Sequence, residues 1–149
     1  MQAAASLIEV ETYIALPNGY RPSDSEDFMS VRQILYFQRK LLDWKDEILR
    51  ESRETLGHLQ AQTENHPDLA DRASSETDRA LELRTRDRQR KLISKIDAAL
   101  RRIEDGSYGF CEDTGEPIGL ARLEARPIAT LSLEAQERHE RRERVHRDI

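Results

Sequence analysis

The feature that most constrains the fold is a long apolar pattern in the first half of the chain. Residues 30–64 contain no proline and one glycine. Their large apolar residues recur at alternating spacings of three and four, which is the pattern of a coiled-coil seam. The pattern predicts one helix that spans roughly 50 Å, at about 1.5 Å per residue. The seam residues are Ile34, Phe37, Leu41, Trp44 and Ile48, continued more weakly by Leu56 and Leu59.

A second long helix is predicted after the segment NHPDLADRA, which interrupts the first. Pro67 discourages continuation of the incoming helix. Asp68 is a good N-cap for the outgoing helix, with Asp71 at its third position. We expect this helix to run to about Asp105, because Gly106 follows as a stop signal. Its predicted seam comprises Ala73, Ala80, Leu83, Leu92, Ile96, Ala99 and Ile103.

Two long helices joined by a short turn must lie antiparallel, so the sequence predicts a mostly α fold. Its main part is a long antiparallel coiled-coil hairpin over residues 30–105, with the tip at residues 65–73. Charged residues make up 36% of the chain and aromatic residues 5%, which suits long helices with wet outer faces better than a large compact core. Residues 1–29 are expected to form a partly mobile segment able to pack near the hairpin base.

Residues 106–149 change character and predict a small globular module, a degenerate zinc-finger-like turn plus a C-terminal helix. The turn-rich stretch YGFCEDTGEPIG looks like the start of a zinc knuckle. A short LARLEAR helix follows, and Ser132 is a plausible N-cap for a charged helix from Leu133 to about Arg147. The candidate mini-core residues are Tyr108, Phe110, Ile118, Leu120, Leu123, Ile128, Leu131 and Leu133.

Bulk properties exclude several classes of protein. Cys111 is the only cysteine, which excludes an intrachain disulfide framework and favours a reducing compartment. The N-terminus has no basic leader, and no apolar run approaches the ~20 residues of a membrane helix, so we expect a cytoplasmic protein without membrane association. The net charge of −5 gives no global sign of nucleic-acid binding. No catalytic constellation is evident, and we expect no enzymatic activity.

Four stretches together carry a resemblance to a known family. They are PDLADRA, LELRTRDRQRKLISKI, EDGSYGFC and GLARLEARP. This pattern resembles the DksA family of bacterial RNA polymerase regulators, from about Phe28 through Gln136. The resemblance implies a monomer that does not bind DNA but inserts its coiled coil into the secondary channel of the polymerase. It also implies altered open-complex stability, inhibited ribosomal RNA promoters, activated amino-acid biosynthesis promoters, and potentiation by guanosine tetraphosphate (ppGpp).

The tip motif DxxDxA is the most specific part of the resemblance. By that resemblance, the polymerase-contacting residues are Asp68, Asp71 and Ala73. The local residues alone are explained by Asp68 as a cap and by Asp71 near the positive end of the helix dipole. Both roles are compatible, since a cap does not use up the outward face of Asp71.

The second arm carries a basic run that offers a phosphate-binding face. Between residues 79 and 102 there are nine Lys and Arg against three acids, and most of these charges are expected to be solvated surface. Arg88, Leu92 and Lys95 fall at i, i+4 and i+7 and share one helix face. Arg suits bidentate phosphate contacts and Lys a point contact. The resemblance matches these three, with Arg126, to the family's ppGpp-binding residues, whereas a family lysine is replaced by Gln136.

The zinc ligands of the family are mostly missing. Zinc-bearing members follow CxxC, seventeen residues, CxxC, and those positions hold Cys111, Thr114, Ser132 and Ala135. A structural zinc needs four Cys or His ligands, so we expect no bound metal. A turn hydrogen bond from Thr114, a Ser132 cap and the mini-core are expected to hold the module instead.

The leading hypothesis is a zinc-independent DksA-like transcription factor, and two other classes stay open. One is a structural coiled-coil adaptor that has lost polymerase regulation. The other is a thiol-based redox-sensing regulator acting through Cys111. We favour a packing role for Cys111, because the neighbouring Glu112 and Asp113 are expected to raise the pKa of its thiol and disfavour the thiolate.

Overall fold

Four helices account for the secondary structure of residues 16–62 and 69–147, the part of the chain that this computed structural model describes. Side chains are described over residues 16–58 and 72–147. Helix α1 is Val31–Gln62, α2 is Leu69–Asp105, α3 is Leu120–Ala125 and α4 is Leu133–Arg147. The mostly α fold class is therefore confirmed. Within the described residues, no helix is long and apolar enough to cross a membrane.

Local signals explain where the helices begin and end. Ser30 Oγ accepts a hydrogen bond from Gln33 N at 3.4 Å, as an N-cap does for α1. Gly106 follows α2 with a φ of 85°, a left-handed conformation that glycine adopts without steric cost. Ser132 Oγ accepts from Ala135 N at 3.3 Å and caps α4. The cap predicted at Ser132 and the stop predicted at Gly106 are confirmed.

The chain divides into two compact units, and both long helices contribute to each. The first unit contains the described residues up to Leu41 together with those from Ala98 onward. The second unit contains the described residues of Leu42–Asp97. The sequence instead suggested boundaries at residues 29 and 105, which follow changes in composition. Each unit is described by itself below.

An aromatic cluster lies at the centre of the first unit. Phe37 is fully buried, and its ring lies 5.8 Å from that of Tyr108. The Tyr108 hydroxyl donates to Pro127 O at 2.8 Å, so the buried phenol keeps a hydrogen-bond partner. Burial raises the pKa of Tyr108 above its usual range. Other buried apolar residues of this unit are Leu35, Leu41, Ala99, Ile103, Ile118, Leu123, Ile128 and Ala129.

Residues 16–29 pack within the first unit. The Phe28 and Phe110 rings meet edge to face at 5.6 Å. Met29 lies so close to Gly109 that an added Cβ there would stand 2.9 Å from its Sδ and Cγ atoms. Gln33 is fully buried; its Oε1 accepts from Met29 N at 2.8 Å and its Nε2 donates to Ser23 O at 3.2 Å. The expectation of mobility for residues 1–15 lies outside the described residues.

A polar network joins α1 to α3 in the same unit. Lys40 Nζ lies 2.7 Å from Glu124 Oε2 and also donates to Glu124 O at 3.1 Å. Burial alone would raise the pKa of Glu124, but hydrogen bonds from Lys40 and Tyr36 outweigh it and lower the pKa. Burial and the hydrogen bond to Glu124 raise the pKa of Tyr36 to about 12. The short helix α3 is therefore held by charge-assisted hydrogen bonds as well as by buried Leu123.

The second unit is an antiparallel pair of helical segments. Lys45 Nζ lies 2.7 Å from Asp97 Oδ1, and His58 Nδ1 lies 3.1 Å from Glu82 Oε1. Position on α1 rises between these pairs while position on α2 falls, which is the geometry of an antiparallel hairpin. Ile48 and Ile96 are buried here, while Trp44 and Leu92 are half-buried. These four residues belong to the predicted seam.

The seam nearer the predicted turn differs from the prediction. Leu56, Leu83, Ala73 and Ala80 were expected there, and all four are exposed. The spacing of three and four continues instead through polar residues, of which Gln89 is buried and the others are half-buried. We call this set the polar seam; it consists of Ser52, Thr55, Glu82, Thr85 and Gln89. The apolar residues were assigned by type, whereas helical phase decides which side chains face the partner helix.

Candidate functional site

The start of α2 holds the three residues of the DxxDxA motif. The helix begins at Leu69, the residue after Asp68, while Asp68 itself lies outside the described residues. Asp71 belongs to the first turn of α2, and its side chain is not among those described. Ala73 is exposed, and its carbonyl accepts a hydrogen bond from Thr77 Oγ1 at 3.1 Å. Asp71 and Ala73 lie on the described part of α2, while the Asp68 cap and the polymerase contacts stay predictions.

The predicted phosphate-binding face is present on α2 in the second unit. Arg88 and Lys95 are exposed, and Leu92 between them is half-buried. Arg88 Nη2 donates to Thr85 Oγ1 at 3.4 Å, which leaves most of the guanidinium in solvent. Arg84 and Lys91 are exposed close to them on the same helix. The face is thus cationic and accessible, as contacts to a phosphate require.

Arg126 and Gln136 belong to the first unit. Arg126 is exposed at the end of α3, where its backbone N–H donates to Arg122 O at 2.7 Å. Gln136 is half-buried on α4, and its Nε2 donates to Glu140 Oε1 at 3.3 Å. Arg126 therefore offers a free guanidinium, whereas Gln136 offers a neutral amide engaged along its own helix.

The knuckle-like stretch YGFCEDTGEPIG closes into a tight turn. Cys111 N donates to Glu116 O and Gly115 N donates to Cys111 O, both at 2.8 Å. Phe110 forms an isolated antiparallel bridge with Pro117. Glu112 N donates to Thr130 O at 2.9 Å, and this hydrogen bond joins the turn to the segment before α4. The turn is therefore held by backbone hydrogen bonds from both sides of Cys111.

Cys111 is the first of the four positions that the resemblance matches to zinc ligands. The residue is 3% exposed, and its sulfur accepts hydrogen bonds from the side chains and backbones of Thr114 and Ser132. Burial raises the pKa of the thiol, but these hydrogen bonds outweigh it and lower the pKa to about 6. The expectation of a raised pKa is therefore wrong, because Thr114 and Ser132 donate to the sulfur.

These four positions do not form a donor set for zinc. One thiol is present, Thr114 and Ser132 contribute hydroxyls that already bond to the sulfur, and Ala135 is fully buried without a donor. Thr114 Oγ1 also accepts from Glu116 N at 3.3 Å, as the predicted turn hydrogen bond requires. Across residues with described side chains, no three Cys, His, Asp or Glu residues gather closely enough to hold a metal ion.

A contact between His139 on α4 and Asp113 in the turn was not predicted. His139 Nε2 on α4 lies 2.7 Å from Asp113 Oδ2 in the turn. The two residues stand 26 positions apart, and no spacing rule links them.

The mini-core prediction holds for Tyr108, Ile118, Leu123 and Ile128, which are buried, but not for Phe110 and Leu133, which are exposed. Packing and polar contacts together hold α4 against the turn.

Comparison with protein families gives two adjacent matches. Residues 33–103 match the family described as DnaK suppressor protein DksA, N-terminal domain. Residues 106–141 match the family described as prokaryotic dksA/traR C4-type zinc finger. The second match covers the segment around Cys111, where the donor set just described does not fit zinc.

Similar proteins and a similar solved structure carry related names. The chain is 75% identical over 148 residues to the RNA polymerase-binding transcription factor DksA of Caulobacter vibrioides, covering 99% of each chain. It is 42% identical to the factor of the same name from Escherichia coli K12, over 84% of this chain and 83% of the other. The solved structure of transcription factor DksA2 from Pseudomonas aeruginosa superposes with a TM-score of 0.75 at 43% identity, covering 83% and 94%.

The Cys111 sulfur provides a pH-dependent prediction. Its lowered pKa means that the thiolate forms at a lower pH in the folded protein than in the unfolded chain. Thiolate absorbance near 240 nm should therefore titrate with a midpoint at about 6, and this signal should be absent from Cys111→Ser. Stability linked to this group should be full above the ordinary thiol pKa and be lost as pH falls through about 6. A midpoint at or above the ordinary thiol value would contradict the hydrogen-bond argument.

Proposed function

The chain belongs to the DksA family, and from this premise we propose that it regulates transcription by binding bacterial RNA polymerase. The observation that carries the proposal is the 75% identity over 148 residues to a protein named RNA polymerase-binding transcription factor DksA. Members of this family are transcription factors, and the prediction that the chain is not an enzyme is confirmed. We place its action in the cytoplasm, as a monomer that contacts the polymerase and not DNA.

The proposed mechanism uses the hairpin as a probe that enters the secondary channel of the polymerase. Support comes from the antiparallel pairing of α1 and α2 in the second unit and from the helical position of Asp71 on α2. An exposed Ala73 leaves this turn of α2 open to a partner. Asp68 and Asp71 would act there on open-complex stability, which inhibits ribosomal RNA promoters and activates amino-acid biosynthesis promoters.

An Asp71→Asn variant tests the tip mechanism. The substitution removes one negative charge and keeps the size of the side chain, so inhibition of a ribosomal RNA promoter should fall at least about tenfold, or roughly 1.4 kcal/mol. Purified polymerase, this protein and a ribosomal RNA promoter suffice for the assay. Asp78→Asn is the matched control, because Asp78 is exposed on the same helix two turns further on.

Binding to the polymerase should be measured in parallel by competition with the unlabelled parent protein. Asp71→Asn is expected to retain binding while losing inhibition, and Asp78→Asn is expected to retain both. If Asp71→Asn inhibits as well as the parent does, the tip mechanism is wrong. A chain that binds polymerase without changing transcription would point to the structural adaptor instead.

The second part of the proposal is that ppGpp strengthens this regulation. Arg88, Leu92 and Lys95 supply an accessible cationic face on α2, and exposed Arg126 supplies a further guanidinium. The resemblance assigns ppGpp binding to these four residues, and the exposure of Arg88, Lys95 and Arg126 is what such binding needs. Gln136 replaces a family lysine, so one phosphate contact is missing from the set.

A Gln136→Lys variant tests the ppGpp assignment by adding the missing charge. A phosphate contact by lysine is charge-assisted, so potentiation by ppGpp should appear at a concentration about threefold to tenfold lower. The readout is ribosomal promoter inhibition across a ppGpp titration with purified polymerase. Gln136→Ala is the control, because it also removes the hydrogen bond to Glu140 but adds no charge. Equal titration curves for all three proteins would remove position 136 from the site.

We propose further that the protein works without zinc. The support is chemical, since the described residues around Cys111 offer one thiol, and Thr114 and Ser132 already bond to it. The module has other ties, among them the Asp113–His139 pair and the Ser132 cap. A zinc-independent factor could substitute for a zinc-bearing relative when zinc is scarce or thiols are oxidised.

Metal analysis tests zinc independence directly. The purified protein should carry far less than one zinc per chain, and a chelator should leave its thermal unfolding unchanged. The triple variant T114C/S132C/A135C restores a four-cysteine set and serves as the positive control, expected to bind one zinc. Stoichiometric zinc in the parent protein would overturn the proposal.

A second candidate function is redox regulation through Cys111. The lowered pKa of its thiol favours it, because the thiolate is the reactive form. The burial of the sulfur opposes it, since an oxidant must reach the atom. The titration of Cys111 measures the first requirement of this function.

A further inference from the structure

The helix pair of the second unit changes character along its length. At one end, Ile48 and Ile96 are buried and belong to an ordinary apolar seam. In residues 49–58 and 72–91, by contrast, every described leucine and alanine side chain is exposed. These exposed residues are Leu49, Leu56, Ala73, Ala80, Leu81 and Leu83. We call residues 49–58 and 72–91 the distal segments.

The interior of the distal segments is the polar seam. Gln89 is 8% exposed, and its Oε1 is buried without a hydrogen-bond partner. Glu82 Oε2 is also buried without a partner. A buried polar acceptor without a partner destabilises the folded state, because it has lost its hydrogen bonds to water. The seam here therefore opposes helix pairing where an apolar seam would favour it.

The His58–Glu82 contact and two threonine hydrogen bonds in the distal segments add little to helix pairing. His58 Nδ1 meets Glu82 Oε1 at 3.1 Å, with 62% of the His58 side chain exposed. Exposed polar contacts of this kind contribute little to stability, because water competes for both partners. Thr85 Oγ1 and Thr77 Oγ1 donate to carbonyls of their own helix, at 3.0 and 3.1 Å, and do not tie α2 to α1. Helix pairs of this length depend on tertiary packing more than on propensity.

We propose that the distal segments form a locally opening end of the hairpin, which separates and closes while the apolar seam at Ile48 and Ile96 stays intact. No leucine or alanine with a described side chain in the distal segments is fully buried, so the hydrophobic effect resists opening there less than it resists separation at Ile48 and Ile96. Closing restores the paired geometry of the two helices. The polymerase binds the closed form in preference to the open one, and this preference rests on the proposed function.

Amide hydrogen exchange of the full chain, followed by mass spectrometry, tests the opening. Amides of the distal segments should exchange at least about a hundredfold faster than those of residues 37–48 and 94–103. The variant E82L/Q89L replaces both orphaned acceptors with apolar side chains, and it should slow distal exchange about tenfold or more. The control E76L/T77L makes the same kinds of replacement at two exposed positions of α2 and should change it less than about threefold.

Addition of purified polymerase tests the selection of the closed form. Saturating polymerase should slow exchange in the distal segments, since binding to one form stabilises that form. Wild-type distal amides as slow as those of residues 37–48 would overturn the opening, as would an E82L/Q89L variant no slower than E76L/T77L. If polymerase binds but leaves distal exchange unchanged, selection is wrong and opening stands. If polymerase does not bind at all, the proposed function fails, and the exchange of the free protein still decides the opening.

Discussion

The first unit depends on the packing of Phe37 against Tyr108. Phe37 lies on α1 and Tyr108 follows the end of α2, so this contact joins two residues that are far apart in sequence. The Tyr108 hydroxyl extends the link to Pro127 by its hydrogen bond. Fully burying aromatic side chains is worth several kcal/mol, about 3–5 when one is lost to alanine. The hairpin base and the C-terminal module thus share one core.

The C-terminal module is held by several separate contacts around Cys111. A four-cysteine site holds two turns together through one ion. Here the Cys111 sulfur takes hydrogen bonds from Thr114 and Ser132, which lie on the two segments that a metal would join. Lys40 and Glu124 fasten α3, and Asp113 and His139 tie the turn to α4. Several directed contacts of moderate strength therefore hold the module together.

The sequence was most informative where one physical signal dominates. Proline-free apolar spacing predicted the two long helices, Gly106 predicted the end of α2, and the cap at Ser132 predicted the start of α4. The polar seam was missed because Leu56 and Leu83 were assigned by residue type. Its signal was nevertheless present, since Glu82 and Gln89 continue the spacing of Ile96 in helical phase.

Contacts between distant residues were beyond the reach of pattern reading. Nothing in the spacing links Lys40 to Glu124 or Asp113 to His139, because only the folded chain brings them together. The same limit misled the interpretation of Cys111. Two acidic neighbours in sequence suggested a raised thiol pKa, while Ser132, 21 residues further on, helps to lower it. Local charge is a poor guide to a buried group, because direct hydrogen bonds act at shorter range.

The apolar seam of the helix pair stabilises the pairing of α1 and α2, whereas the polar seam does not. Apolar residues such as Ile48 and Ile96 hold the helices together where few polar groups must be buried. Leucine at positions 82 and 89 would have extended that packing, yet the chain places an acid and an amide there and leaves one buried side-chain oxygen of each without a partner. A chain that needed only a rigid rod would gain stability from apolar residues at both positions. The proposed opening of the distal segments accounts for this cost, because both unpartnered oxygens regain hydrogen bonds to water when the helices separate.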